Sequence, residues 1–447
     1  MRLPSSLKKR YLNGADWCLR ALAVGTKMKA NRRLVFAVST FLEGAPDANH
    51  LKSKYILFCQ QFPVLLGRDA RCWCLAPYWK YSETKVPRVP EEIRVGGGVL
   101  QKHESPIDFT KYIEQALNNY AVLDGWRVAL DVVQTTDATR SMLVFMFDHC
   151  LFDAKGADAF IQLFFQYVNS GEMSIPESEK LPRADAQLDN WGSRFKSGRD
   201  ANRCIRNLMN AETANLPLPQ NLATRPIRIR EICFTPEEAK RIQARAFEVA
   251  GYLMFAPYAL ATAVSAFYPV FSRLLNGSFD FVVSTSTDKQ RTATRKHHVF
   301  FNDLSFLFFQ FPMSAASDRN ALAVLLRNQL VQQARDGLPT VLEEANLLMR
   351  IFPAKVLWQF LMKYYRNRMS SLAFTSLGEP QMNVSEVAGC RVQDYIHFPM
   401  IPTPPGLGLI LCQHAGKLHA VLSCFEGIIS DEDMDAVLAR FRVQILT

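Results

Sequence analysis

Phe147-Asp148-His149-Cys150-Leu151-Phe152-Asp153-Ala154-Lys155-Gly156 is the stretch on which the reading of this chain turns. It continues Ser141 to Asp148 (SMLVFMFD), an apolar run too unbroken for a strand with one wet face and therefore expected to be buried on both. A helix is predicted from Gly156 to Asn169, with Ala159, Phe160, Leu163, Phe164 and Tyr167 at helical spacing. Between strand and helix the chain delivers His149 at a strand end and Asp153 on a tight turn. Imidazole has the pKa suited to proton transfer near neutrality, so His149 is the candidate general base. Asp153 is the candidate structural residue, able to hold the loop through a salt bridge to an arginine. The spacing alone fits a satisfied histidine at a strand end just as well. Cys150 falls on the opposite strand face from His149 and is not expected to act as a nucleophile.

Outward from this stretch, Arg33 to Phe41 (RLVFAVSTF), Cys72 to Tyr78, and Gly125 to Val133 (GWRVALDVV) read as strands, and Leu51 to Cys59 as a helix. From Glu172 to Arg225 the composition shifts to scattered prolines and charges, with a basic run at Arg194, Lys196, Arg199, Arg203 and Arg206 that suits a charged surface helix. Asn215 to Pro226 (NLPLPQNLATRP) cannot form a regular helix. The expected division is a lobe over 1–210, a linker over 211–226 and a second lobe over 227–447.

The second half opens with a strand from Ile227 to Phe234 and a helix capped by Thr235. Gly251 to Ser272 carries no charged residue and is long enough to span a bilayer, but its prolines, tyrosines and hydroxyls favour a buried core helix. Contact with a membrane surface stays open. Phe279 to Ser286 and Ser371 to Leu377 read as strands, Leu407 to Cys412 and Lys417 to Phe425 as a hairpin, and Ser430 caps a last helix ending near Leu446. His414 and His419 in that hairpin are expected at the surface.

The 447 residues are too many for one ordinary core, and 49% hydrophobic with 21% charged residues is normal for a globular protein. The 31 phenylalanines suit a packed core, and equally a passage for a greasy substrate. A net charge of +10 fits phosphate-bearing ligands, acidic carrier proteins or anionic membrane. No nucleic-acid-binding signature is present, so nucleic acid is not an expected partner. The ten cysteines lack paired metal spacing; no metal site is expected, and free thiols in a reducing cytoplasm are. Gly96-Gly97-Gly98 lacks the Lys-Ser/Thr of a phosphate loop and reads as a turn.

The chain resembles the chloramphenicol acetyltransferase-like superfamily, which includes peptide-synthetase condensation domains, plant BAHD acyltransferases, polyketide-associated acyltransferases and dihydrolipoyl acyltransferase cores. His149-x-x-x-Asp153 matches their shared His-x-x-x-Asp-Gly motif, and Phe147-Asp148-His149 is similar to the Phe-Asp-His of the dihydrolipoyl enzymes. Phe279 to Asp288, Phe301-Asn302-Asp303-Leu304-Ser305, Ala373-Phe374-Thr375-Ser376-Leu377-Gly378, Gly416-Lys417-Leu418 and Ser430-Asp431-Glu432 follow in family order. The resemblance implies an α/β (α+β) fold: two chloramphenicol acetyltransferase-like lobes with mixed sheets and an active-site tunnel between them.

It also implies an acyltransferase that moves an acyl group from a coenzyme A or carrier-protein thioester to a hydroxyl or amino acceptor, with no bound cofactor. His149 would be the base. Ser376 would be the first choice and Thr375 the second for oxyanion donor, and Arg127 is one guess for the partner of Asp153. Asn302 and Gly156 are the substrate-side positions beside the base. Lys289 and Arg291, in the basic loop Asp288 to His298, suit a coenzyme A phosphate or an acidic carrier protein; a solvated loop is the plain alternative. Departures from the pattern are Ala154, where the family has Gly, and Asp148, where condensation domains have a first His. They favour a stand-alone, bacterial-style acyltransferase. They also support the alternative of a catalytically idle condensation-like protein that binds a carrier protein or scaffolds an assembly. Two lobes in one chain make a monomer the expected state.

Overall fold

A computed structural model describes residues 7–71, 76–82, 85, 93–95, 101–103, 108–172, 191–209, 212–288, 299–365, 367, 369–380 and 384–447. The strand containing His149's approach, Arg140–Asp148, is buried along every residue after the first, as its unbroken apolar run requires. Val35–Glu43 and Val128–Thr135 flank it, both antiparallel. Its two faces enter two cores. Met142, Val144 and Met146 join one with Ile113 and Leu117 of the helix Phe109–Val122. Leu143, Phe145 and Phe147 join the other with Phe160 and Phe164 of the helix Ala154–Ser170.

That second core consumes much of the phenylalanine. Phe147 and Phe152 pack edge to face at 4.8 Å, Phe152 and Phe160 at 5.5 Å, and Phe58 and Phe160 at 5.1 Å, all within the range of favourable aromatic pairing.

The N-terminal sheet has seven strands on its main path or attached to it. Glu386–Val387 and Cys390–Pro399 come from the far end of the chain and add to Val35–Glu43, followed by Arg140–Asp148, Val128–Thr135 and the short strands Ile93–Val95 and Gln101–His103. Cys390–Pro399 runs antiparallel to Val35–Glu43, with a bulge between Val392 and Asp394. No strand is anticipated there from the sequence, and the chain, expected to divide at 211–226, thus crosses back to its first sheet.

The second sheet orders Leu304–Pro312, Asp280–Asp288, Leu372–Ser376, Leu407–His414, Lys417–Phe425 and Ile227–Phe234. Its centre is parallel: Leu372–Ser376 pairs in parallel with strands on both sides. A small three-stranded sheet joins Leu7–Tyr11, Tyr78–Ser82 and Arg68–Ala70.

The apolar stretch expected as a core helix is one: Phe255–Leu274, buried from Pro257 to Phe267. Among the described residues no single helix is long and apolar enough to cross a membrane; a pair, Pro236–Ala250 and Phe255–Leu274, passes on length and composition but bends by 95°. At that bend Phe247, Tyr252 and Leu253 are exposed. The basic run Arg194 to Arg206 lies on the helix Trp191–Met209, where Arg194 is buried rather than solvated and stands 3.7 Å from Glu344. Gly96 to Gly98, Cys72 to Cys74 and the loop 289–298 lie outside the described residues.

Phe160 touches Phe58, Phe62, Phe147 and Phe152 with no exposed surface. Phe160→Ala is therefore expected to cost about 3–5 kcal/mol, and Phe160→Leu clearly less, read from the denaturant midpoint at constant slope.

Candidate active site

After Asp148 the chain leaves the sheet in a tight turn in which the Leu151 and Phe152 amides both donate to the Asp148 carbonyl, at 2.9 and 3.1 Å. The turn is held by the Asp148 carboxylate. Its Oδ2 accepts from Arg33 Nη2 at 2.6 Å and Arg127 Nη1 at 2.8 Å, and its Oδ1 accepts from the Cys150 amide at 3.0 Å. Burial opposes ionisation of this group. The guanidiniums of Arg33 and Arg127, with Arg20 nearby, outweigh it and hold the carboxyl below the usual carboxylate range. Arg127, one guess for the partner of Asp153, is thus committed to Asp148. The departure at Asp148 from the doubled-histidine pattern has a structural cause: the position anchors the turn.

His149 follows this anchor. Its Nδ1 lies 3.0 Å from the Phe152 carbonyl oxygen. A carbonyl only accepts, so Nδ1 carries the proton, and in the neutral ring Nε2 is left with its lone pair. Phe36 packs against the ring edge to face at 5.1 Å. Burial lowers the imidazole pKa below its ordinary value, so the ring is neutral at physiological pH.

Asp153 caps the helix Ala154–Ser170. Its Oδ1 accepts from the Gly156 amide at 2.7 Å and its Oδ2 from the Asp303 amide at 3.0 Å. It therefore pins the segment 299–303 of the second half against the His149 turn. Ala154 sits in the first helical turn without a positive φ, so no glycine angle is needed at the position where the family has Gly.

The remaining predicted positions separate. His149, Asp153, Thr375 and Ser376 all line one cavity of about 580 Å³ between the two sheets. Thr375 and Ser376 end the strand Leu372–Ser376, and Thr375 Oγ1 lies 3.3 Å from Ser286 Oγ. Asn302 and Gly156 do not line it. Asn302 is almost fully buried behind His149: its amide donates to Asp16 Oδ1 at 2.8 Å, its Nδ2 approaches the His149 carbonyl at 3.3 Å, and its carbonyl accepts from Asn13 Nδ2 at 2.8 Å. Gly156 spends its amide on the Asp153 cap. Lys289 and Arg291 lie outside the described residues.

Several lining residues carry no signal in the sequence. Ser284, Ser286 and Thr287 were legible as a strand but not as a polar wall. Cys18 and Leu22 come from the helix Gly14–Ala30, which the sequence reading does not assign. Burial pushes the Cys18 and Cys150 thiols up to about 11, so both stay protonated. A second imidazole, His397, enters from the crossing strand Cys390–Pro399. Its Nε2 lies 2.8 Å from Asp158 Oδ1, to which the Tyr395 hydroxyl also donates at 2.6 Å. The rest of the lining is chiefly apolar, with Phe306, Phe308, Leu342, Met369, Phe398 and Met400 among it.

No protein-family model matches the chain, and no curated protein matches it. Solved structures do. The TRI3 trichothecene 15-O-acetyltransferase from Fusarium sporotrichioides is 11% identical at a TM-score of 0.69, over 100% of this chain and 96% of that one. The first condensation domain of the CDA synthetase is 13% identical at 0.64, over 99% and 96%. The epimerization domain from the third module of tyrocidine synthetase B is 12% identical at 0.61, over 100% and 98%. Identities this low speak to architecture alone: the chain has the chloramphenicol acetyltransferase-like fold, in the two-lobed form of the condensation domains.

Asp148→Asn removes the buried charge that two half-buried guanidiniums share and is expected to cost about 3 kcal/mol or more. Because the folded pKa of Asp148 lies below its unfolded value, its contribution is present above about pH 3.9 and lost as pH falls through the folded pKa. Acid denaturation profiles of wild type and variant should therefore converge at low pH and separate above it.

Proposed function

We propose that the chain is an acyltransferase that moves an acyl group from a coenzyme A or carrier-protein thioester to a hydroxyl or amino acceptor, with His149 as general base. The observation that carries this reading is the neutral His149 ring, its Nδ1 proton fixed on Phe152 and Nε2 left basic, on the wall of a cavity that also holds Thr375 and Ser376. The fold shared with an acetyltransferase and with condensation domains supports it at the level of architecture.

In this reading His149 Nε2 takes the acceptor proton as the acceptor attacks the thioester carbonyl. The negative charge moves to the carbonyl oxygen, where the Ser376 hydroxyl, or Thr375 beside it, donates to the tetrahedral oxyanion. Collapse breaks the C–S bond, and the His149 proton passes to the leaving thiolate. No covalent acyl-enzyme is needed. Asp153 and Asp148 hold the geometry without touching substrate. The apolar walls favour a hydrophobic acyl or acceptor group, in a volume typical of small-molecule sites.

The test is thiol release from a panel of acyl-coenzyme A and acyl-carrier-protein donors with mixed alcohol and amine acceptors. Acceptor-dependent release should fall by about 10²–10⁴ in His149→Ala and by about 10²–10³ in Ser376→Ala. The acid limb of kcat/KM should lie below about 6.5, because burial lowers the His149 pKa and the active form is the neutral ring. Release that survives His149→Ala overturns the general-base assignment. A folded protein that binds carrier protein but releases no thiol with any pair would instead mark an idle scaffold.

A further inference from the structure

At the bulge of the crossing strand Cys390–Pro399 the fold brings Cys233, Asp394 and His419 together, with His414 beside Asp394. They come from four strands: Ile227–Phe234, Cys390–Pro399, Leu407–His414 and Lys417–Phe425. Cys233 and His419 face each other across one ladder. The bulge between Val392 and Asp394 interrupts the strand just where Asp394 meets them. His414 and His419, expected at the surface, are not there: His419 is 1% exposed and the His414 side chain 14%. We propose that Cys233, Asp394 and His419 hold a structural zinc ion, with His414 moving in from beside Asp394 as its fourth ligand, and that this site ties the crossing strand of the first sheet to the hairpin of the second.

The geometry points to a metal in three ways. First, the ligand atoms of Cys233, Asp394 and His419 all lie within 4.8 Å of one another. Tetrahedral zinc with bonds of about 2.0–2.3 Å sets its ligand atoms roughly 3.3–3.8 Å apart. Cys233 Sγ to His419 Nε2 is 3.9 Å, and His419 Nε2 to Asp394 Oδ1, at 2.9 Å, has to open; His414 Nδ1, 3.7 Å from Asp394 Oδ1 but outside the close group of three, has to move toward the other two ligands. Second, His414 Nδ1 is buried, and its one approach to a partner there, 3.7 Å from Asp394 Oδ1, is too long for a good hydrogen bond; a metal bond would satisfy it better. Third, His419 Nδ1 donates to Glu231 Oε1 at 2.8 Å. A carboxylate on the far nitrogen is the arrangement that orients a zinc-bound imidazole and raises its basicity.

The charges also fit. One thiolate and one carboxylate neutralise a divalent ion, with two neutral imidazoles completing the set. Metal entry releases the Cys233 thiol proton and the proton on His419 Nε2. Lys417 stays on the other oxygen of Asp394, where its Nζ already lies at 2.8 Å. Mixed S, N and O donors select zinc over magnesium or calcium, and four protein ligands leave no open position for catalysis. The absence of paired cysteine spacing does not bear on this site, because its ligands meet only through the two sheets.

The experiment is metal analysis of the whole chain purified without chelator, followed by zinc titration of the chelator-treated protein and by cobalt substitution. One zinc per chain is expected, with a rise in Tm on rebinding. Cobalt should give sulfur-to-metal charge transfer and intense tetrahedral d–d bands, and both should lose the sulfur component in Cys233→Ser. Cys233 is exposed, so this variant should still fold. Glu231→Gln should weaken zinc binding by about 10–100-fold. Failure of wild type to bind zinc in titration, or equal affinity in Cys233→Ser, overturns the proposal and leaves the cluster an ion-pair network centred on His419.

Discussion

A single buried carboxylate holds the candidate active site together. Asp148 ends the central strand of the first sheet, and its oxygens bind two guanidiniums and one amide of the turn that follows. An isolated charge at such depth would be costly to keep ionised, and the two half-buried arginines supply the opposite charge that holds it. Each arginine is tied down in turn. Arg33 also donates to the carbonyls of Leu123 and Trp126, and its guanidinium lies 4.8 Å over the Trp126 ring. Arg127 lies 5.2 Å over Trp79. The turn thus inherits the rigidity of the strands behind it, and His149 is aimed by its neighbour rather than by a hydrogen bond to its own reactive nitrogen.

Neither half of the chain completes this site alone. The segment 299–303 is pinned to the His149 turn through Asp153, through a bridge between Phe152 and Phe301, and through Asn302 with Asp16. The hydroxyls opposite His149 belong to the second sheet, whereas His397 belongs to a late strand in the first. The cavity is a seam, and its shape depends on how firmly the two sheets are held together. Polar lining is sparse beside its apolar walls, so the few hydroxyls and imidazoles present carry the orienting contacts.

Local pattern made one part of this legible and left the other dark. The His149 strand, the helix after it, the late hairpin and the core helix Phe255–Leu274 follow from periodicity and caps, and the order of the family-like motifs pointed to the fold. Thr375 and Ser376 were placed at the cavity by motif position. Asn302 shows the limit of that method: its motif position is right beside the base, yet it clamps backbone behind the ring. The crossing strand Cys390–Pro399 gives no clear signal because its alternation breaks at Gln393-Asp394, where the bulge sits. What the departure at Asp148 is for is not legible locally, because its arginines lie 115 and 21 residues away. Pairings of that kind are settled by tertiary approach, which no local window contains.

The crossing strand also sets an order of events during synthesis. Its partner, Val35–Glu43, leaves the ribosome early, but Phe36 pairs with Pro399, which is made more than three hundred residues later. Until then one edge of the first sheet stands open, with Val38 and Leu42 beside unpaired backbone groups that are eventually buried. The first lobe therefore cannot finish folding as an independent N-terminal unit. It must wait, partly assembled, for nearly the whole chain, which is the interval in which a holding chaperone would matter most to its yield.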